Sequence, residues 1–420
     1  VNASTNSEPP KRHRWRFQFS LRAFLVATVV LAACFAFVGR FVYRVRHQRA
    51  VVAKIESLGG SVAYDDEGLR GYVAVEPSAA AKLLRPYFGH DAFSNVRFVF
   101  VGYRFPEEMR PANPRPARAA NSAAGTNADL AILSELPQLL DVVVDKPPTD
   151  DEGMRYLARI HKLRGLDLKH PIATGDGLAE LRVLPQLQWL SLEGSSVNDE
   201  TIRRIRELSH LRFVRFRGTS ITSAGLKQLV GLNELREIEF FGGTQVVDNG
   251  LQSLAQLPNL ESLSLLGTNI SDAGLIHLRA APRLKELTLY GTDVGDDGLQ
   301  HVVQMSGLTS LNLAHTHVTD AGLAMLEKLS ELEELYLFNT GISDAGMVHL
   351  AKLNKLRILR TNDTNVTEIG LTLLRDHKQL KTLSVGPDVT TGAMKELEDM
   401  LPYCEIEYRK TIFRPQPKQR

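Results

Sequence analysis

Apolar residues in this chain follow two nested periods. From Leu139 onward, leucine returns every 24 residues, at Leu163, Leu187, Leu211, Leu235, Leu260, Leu284, Leu308, Leu332, Leu356 and Leu380, with one interval of 25 between Leu235 and Leu260. The unit opening at Leu284 reads LKELTLYGTDVGDDGLQHVVQMSG. In its first part apolar residues alternate, which predicts a short strand with Leu287 and Leu289 inward and Glu286, Thr288 and Tyr290 outward. A Ser/Thr-Asp pair such as Ser271-Asp272 or Thr319-Asp320 then predicts a helix start, with the hydroxyl capping exposed amides and the Asp complementing the helix dipole. In the run Gly322-Leu323 to Leu326 the apolar spacing becomes helical. Units that each bury their apolar side only against the next build a solenoid.

The composite LxxLxLxxTx[VI][ST]DxGLxxL resembles the leucine-rich repeat, in the ribonuclease-inhibitor-like subclass also found behind F-box domains. The resemblance covers roughly residues 128 to 408, with about eleven units in phase. It implies an α/β leucine-rich repeat solenoid, with a parallel sheet on the concave side and short helices on the convex side. One departure is Thr in place of the turn Asn, at Thr219, Thr244, Thr268, Thr292, Thr316, Thr340 and Thr364. A hydroxyl still bonds neighbouring backbone, with fewer polar groups than an amide. This points to shorter-repeat bacterial members.

The ends of the array degrade, as capping units do. Pro147 and Pro171 stand where later units have Thr, and at the far end Tyr403, Ile406 and Tyr408 are expected at the strand positions. Upstream, Val96, Val99 and Val101 fit LxxLxL, and Thr126-Asn127-Ala128-Asp129-Leu130 echoes Thr-Asp-Ala-Gly-Leu. Residues 93–138 therefore read as a first repeat split by a Pro/Ala-rich insertion, 106–125, of extended character. Residues 139–408 are the repeats proper and 409–420 a basic tail.

Ahead of the array, a basic tail (1–22) precedes AFLVATVVLAACFAFVG, residues 23–39, and the apolar run continues past Arg40 to Tyr43. The segment 23–43 approaches the roughly 20 residues that cross a bilayer core, and flanking Arg22 and Arg40 can snorkel to headgroups. Leu31-Ala32-Ala33-Cys34 also resembles a bacterial lipobox, but the apolar stretch runs on past Cys34, which favours an uncleaved span. Either device tethers the chain to a membrane. Basic residues balance across the span, five against five, so charge leaves orientation open. The short leading tail fits a single pass with the repeats outside the cytoplasm. Residues 44–92 read as a small α+β region: a helix over His47 to Leu58, strands at Ser61–Tyr64 and Tyr72–Val75, and a helix over Pro77–Phe88.

The net charge of +2 conceals an asymmetry, because residues 1–54 hold ten Lys/Arg against Glu8 alone and leave the remainder acidic. The basicity belongs to the membrane flanks, and no nucleic-acid stripe is present. Two cysteines, Cys34 and Cys404, build no disulfide framework. No phosphate loop, dinucleotide fingerprint, nucleophile elbow or zinc helix occurs, so neither enzyme nor cofactor is expected. His315-x-His317 offers two imidazoles without a third ligand. His277, His301 and His349 share one helical phase, read as a tolerated convex surface.

The seventh residue of each unit points out of the sheet. In the first four units it is Asp145, Lys169, Glu193 and Arg217, a lateral ladder of alternating charge. It then becomes Phe241, Leu266, Tyr290, Ala314 and Phe338, with Tyr336 beside the last. An exposed apolar patch of this kind marks a binding surface. The expected function is therefore non-catalytic binding of a protein or peptide partner on the concave face, through Phe241, Leu266, Tyr290, Tyr336 and Phe338. The alternative is a spacer or self-associating envelope protein. The extra residue in Phe241-Gly242-Gly243-Thr244 is expected to bulge the strand exit.

Overall fold

The computed structural model describes residues 21–58, 60–64, 95–101, 126–146, 148–173, 175–387 and 389–408. The 106–125 insertion, the strand and helix expected between residues 72 and 88, residues 1–20 of the leading tail and the tail 409–420 lie outside the described residues. By contact density the chain divides into two units, 1–50 and 51–420.

In the larger unit, fourteen strands form one sheet whose spatial order is their chain order. They are β1 (Ser61–Tyr64), β2 (Val96–Val101), β3 (Asp141–Val144), β4 (Gly165–Lys169), β5 (Trp189–Glu193), β6 (Phe213–Arg217), β7 (Glu237–Phe241), β8 (Ser262–Leu266), β9 (Glu286–Thr288), β10 (Ser310–Asn312), β11 (Glu334–Tyr336), β12 (Ile358–Arg360), β13 (Thr382–Val385) and β14 (Glu405–Tyr408). All neighbours pair in parallel except β1 with β2. The register advances one whole unit per strand, so Leu287 faces Leu311 and Leu311 faces Leu335. The inward leucines are the core: Leu287 is 1% exposed and Leu289, Leu311, Leu313, Leu335 and Leu337 are fully buried. Each such side chain contributes about 1.5–3 kcal/mol of burial, but only while the next unit covers it.

Helical turns return each unit to the sheet, as at Asp272–Leu278, Asp296–Val302, Asp320–Leu326 and Asp344–Leu350. The helix-opening Asp does more than complement the dipole, for its carboxylate grips the following unit. Asp320 accepts from the Ser343 amide at 2.8 Å and the Ser343 hydroxyl at 2.6 Å. Asp296 holds Thr319 and Asp344 holds Thr367 in the same way. The same carboxylate lies against the helix glycine of that unit: a Cβ on Gly346 would stand 2.4 Å from Asp320 Oδ1, and one on Gly322 2.3 Å from Asp296 Oδ1. The Gly of the Gly-Leu motif is therefore required by close approach, not by helix geometry. At the array's start Asn127 takes the role of Asp, since a Cβ on Gly153 would meet its Oδ1 at 2.5 Å.

Of the seven turn threonines all but the half-buried Thr364 are buried, and five close the turn by donating to the carbonyl three residues back: Thr268, Thr292, Thr316, Thr340 and Thr364, at 2.5–2.7 Å. Thr219 and Thr244, on either side of the extra glycine, are buried without such a bond. There the ladder slips by one residue. Gly194 donates to Arg217 O, the seventh residue of its neighbour, whereas Gly218 donates to Gly242 O, the eighth. That is the expected bulge.

A single helix runs from Leu21 to Ser57, so the apolar segment and the helix read separately at His47 to Leu58 are one element. Between residues 25 and 38 its apolar side chains are open, with Val29 68%, Phe35 72% and Phe37 73% exposed. Its last turns are different in kind: Val51, Val52 and Ile55 are buried in one core with Tyr64, Val96 and Leu130, and Lys54 pairs with Asp129 at 3.2 Å. At the far end Ile406 and Tyr408 align with Leu383 and Val385. Tyr403 does not enter the core. It is 89% exposed, and the buried residue of that turn is Leu401.

Candidate functional site

The outward face of the sheet presents the third, fifth and seventh residues of every unit. Its N-terminal part holds a cage that a scan of the seventh position alone missed. Trp189 and Phe213, paired across β5 and β6, stack at 5.2 Å with 15° between planes. The Arg215 guanidinium lies 5.2 Å from the Phe213 ring, 5.5 Å from Phe241 and 5.9 Å from Trp189, and it pairs with Glu239. Phe241 is thus covered by the protein's own cation. The sequence signal was present in the third and fifth columns, where Trp, Phe and Arg fall on adjacent strands. Of the expected charge ladder, Glu193 and Arg217 meet at 3.9 Å with Arg217 64% exposed, a contact worth a few tenths of a kcal/mol.

Farther along, Tyr290 and Phe338 come together although a whole unit separates them, their centroids 5.8 Å apart. The intervening seventh residue is Ala314, which is fully buried, and its neighbour His315 fills the space. The imidazole lies 4.7 Å from Tyr290 and 5.4 Å from Phe338, edge-on to the latter at 88°. His315 reaches that position because its backbone is left-handed, φ 56°, at the eighth position where earlier units place Gly267 and Gly291. Asn339 and Asp363 continue the same conformation in the next two units, and the Asn339 amide meets His315 Nδ1 at 2.7 Å. Burial holds the His315 pKa down, with Asp363 opposing. His317 faces elsewhere, 4.0 Å from Asp293, so the two imidazoles of the HTH motif occupy separate surroundings.

The five residues expected to form one patch are thereby divided. Phe241 belongs to the Arg215 cage. Tyr290 and Phe338 share the His315 cluster. Tyr336 donates to Glu334 at 3.1 Å, lies under Arg360 at 5.8 Å, and has its phenol pushed up to about 12 by burial and the Glu334 charge. Leu266 ends β8 half-buried between the clusters. Along the margin formed by third residues runs the series Glu237, Ser262, Glu286, Ser310, Glu334. Burial and the nearby charges of Glu239 and Glu286 raise the Glu237 pKa.

Strand-turn-helix units stacked in chain order over an LxxLxL core, five of them closed by a turn-threonine hydrogen bond, decide the architecture. The fold is a leucine-rich repeat solenoid. The family model described as "Leucine Rich repeat" matches residues 306–326. Among solved structures, leucine-rich repeat chains similar to this one include internalin C2 from Listeria monocytogenes, 22% identical over 50% of this chain and 83% of that one, TM-score 0.40. A second is an internalin, inlF, from the same organism, 18% identical over 74% and 95%, TM-score 0.47. A third is a leucine-rich repeat protein of Leptospira interrogans, 16% identical over 66% and 86%, TM-score 0.43. None of the curated proteins matches the chain.

Proposed function

We propose that this is a non-catalytic, membrane-tethered leucine-rich repeat protein whose concave sheet face binds a protein or peptide partner. The observation that carries the reading is the Tyr290–His315–Phe338 cluster: three rings, half-exposed, held by strands whose own core is closed without them. Rigid aromatic side chains lose little entropy on contact and are favoured at interface hot spots. Phe241, Leu266 and Tyr336 extend the contact surface on either side. The tether is the open apolar stretch of the N-terminal helix, whose exposed Val29, Phe35 and Phe37 match a lipid environment better than water. We further propose that the repeats lie outside the cytoplasm.

The test is site-specific photocrosslinking in native membranes. A crosslinker at Leu266 should capture a partner, one at convex His277 should not, and Tyr290→Ser with Phe338→Ser should abolish the capture while the fold is retained. Equal capture by the double variant would leave the spacer reading in its place.

A further inference from the structure

We propose that the partner segment is cationic: an extended peptide with Lys or Arg along one side and apolar residues along the other, laid across units 235 to 332. This rests on the concave-face reading above and adds the chemistry of the occupant. The sheet face itself shows how it holds a guanidinium. Arg215 sits among three aromatic rings and pairs with Glu239; Arg360 sits over Tyr336 and reaches Glu407 at 3.7 Å. In both places an aromatic ring and a carboxylate flank the same guanidinium, a pairing strengthened by partial desolvation.

Between these two arginines the pattern persists without its cation. From Glu237 to Phe338 no outward third, fifth or seventh residue is Lys or Arg. Glu237, Glu286 and Glu334 alternate with Ser262 and Ser310 along one margin, and Tyr290 and Phe338 stand on the other. The floor between them is small and polar, Ser264, Thr288 and Asn312. The basic residues just upstream of the strands do not neutralise the margin, because Arg236 and Lys285 are both committed to Glu261, at 3.1 and 2.9 Å. Burial first, and then the charges of Glu239 and Glu286, raise the Glu237 pKa against the pull of Arg215, and an incoming cation relieves the charge part of that cost. Strands lie about 4.8 Å apart, so glutamates on alternate strands recur roughly every 10 Å along the trough. A peptide lying along it turns successive side chains to opposite sides, which sorts its basic residues to the glutamate margin and its apolar ones to the rings.

The experiment is selection of a random dodecapeptide display library on the full-length protein in detergent, with affinities of synthetic winners then measured on variants. Enriched peptides should combine Lys/Arg with apolar residues, and their affinity should fall about tenfold or more in the triple variant Glu237→Gln, Glu286→Gln, Glu334→Gln. It should also fall with rising salt, and be lost in Tyr290→Ser with Phe338→Ser. The Gln replacements keep shape and hydrogen bonding, and an unchanged circular dichroism spectrum verifies the fold. Neutral or acidic winners that still need Tyr290 and Phe338, or basic winners indifferent to the Gln variant, would overturn the cationic assignment and leave the binding face standing. Winners indifferent to both variants, or none at all, would overturn the binding face as well.

Discussion

Replacing Gly346 by alanine should destabilise the array, although alanine is the better helix former by about 1 kcal/mol. The new Cβ would stand 2.4 Å from Asp320 Oδ1 and 2.8 Å from Leu323 Cδ1. The leucine methyl can rotate aside. The carboxylate can do so only by releasing the Ser343 amide and hydroxyl, at 2.8 and 2.6 Å, which tie unit 308 to unit 332. Hydrogen bonds to a charged group are worth about 1.5 kcal/mol each at the lower end, so losing two and recovering the helix preference leaves a cost of about 2 kcal/mol. Hydrogen exchange in the segment Asp344–Leu350 reads this as local opening, roughly thirtyfold faster at that cost. The decisive arm is the double-mutant cycle. With Asp320→Ala already in place there is no carboxylate to displace, and Gly346→Ala should then be neutral or slightly stabilising. An equal cost in both backgrounds would refute the inter-unit clamp and return the glycine to an unrelated backbone role.

Other outcomes follow from the same structure. His377 occupies a core position held by Leu353 and Leu329 in the two preceding units; it is 1% exposed, and burial lowers its pKa from the ordinary 6.5. The folded state therefore disfavours the proton that the unfolded state accepts, so stability at the C-terminal units is untouched above about pH 6.5 and is lost as pH falls below it. Chemical denaturation at pH 7.5 and 5.5 should show that loss in the native chain and a smaller one in His377→Leu. Leu287→Ser should open several units rather than one, through a lost buried side chain and a stranded hydroxyl at about 3 kcal/mol or more, seen as fast exchange on both flanking strands. The protein should stay with membranes through high-salt and alkaline washing and leave with detergent, because the apolar helix outweighs surface charge; release by salt alone would count against the tether.

The 24-residue recurrence by itself determined the solenoid, the parallel order of its strands and the inward columns of leucine. Each of these depends only on a pattern that every unit repeats, and a unit that cannot cover its own leucines has one way to bury them. The outward face obeys no such rule. Its contacts are made between units, and they depend on which side chains are small: Ala314 lets Tyr290 and Phe338 meet across the unit between them, and its own left-handed backbone turns His315 into the gap. The Arg215 cage likewise needs Trp189, Phe213, Phe241 and Glu239 from three strands at once. The Asp–Gly clamp joins residues 26 apart, a separation at which the motif shows two familiar residue types in a row and gives no sign that they touch. Local periodicity thus decided what is buried, while the lateral register of the sheet and the sizes of neighbouring side chains decided which exposed groups act together.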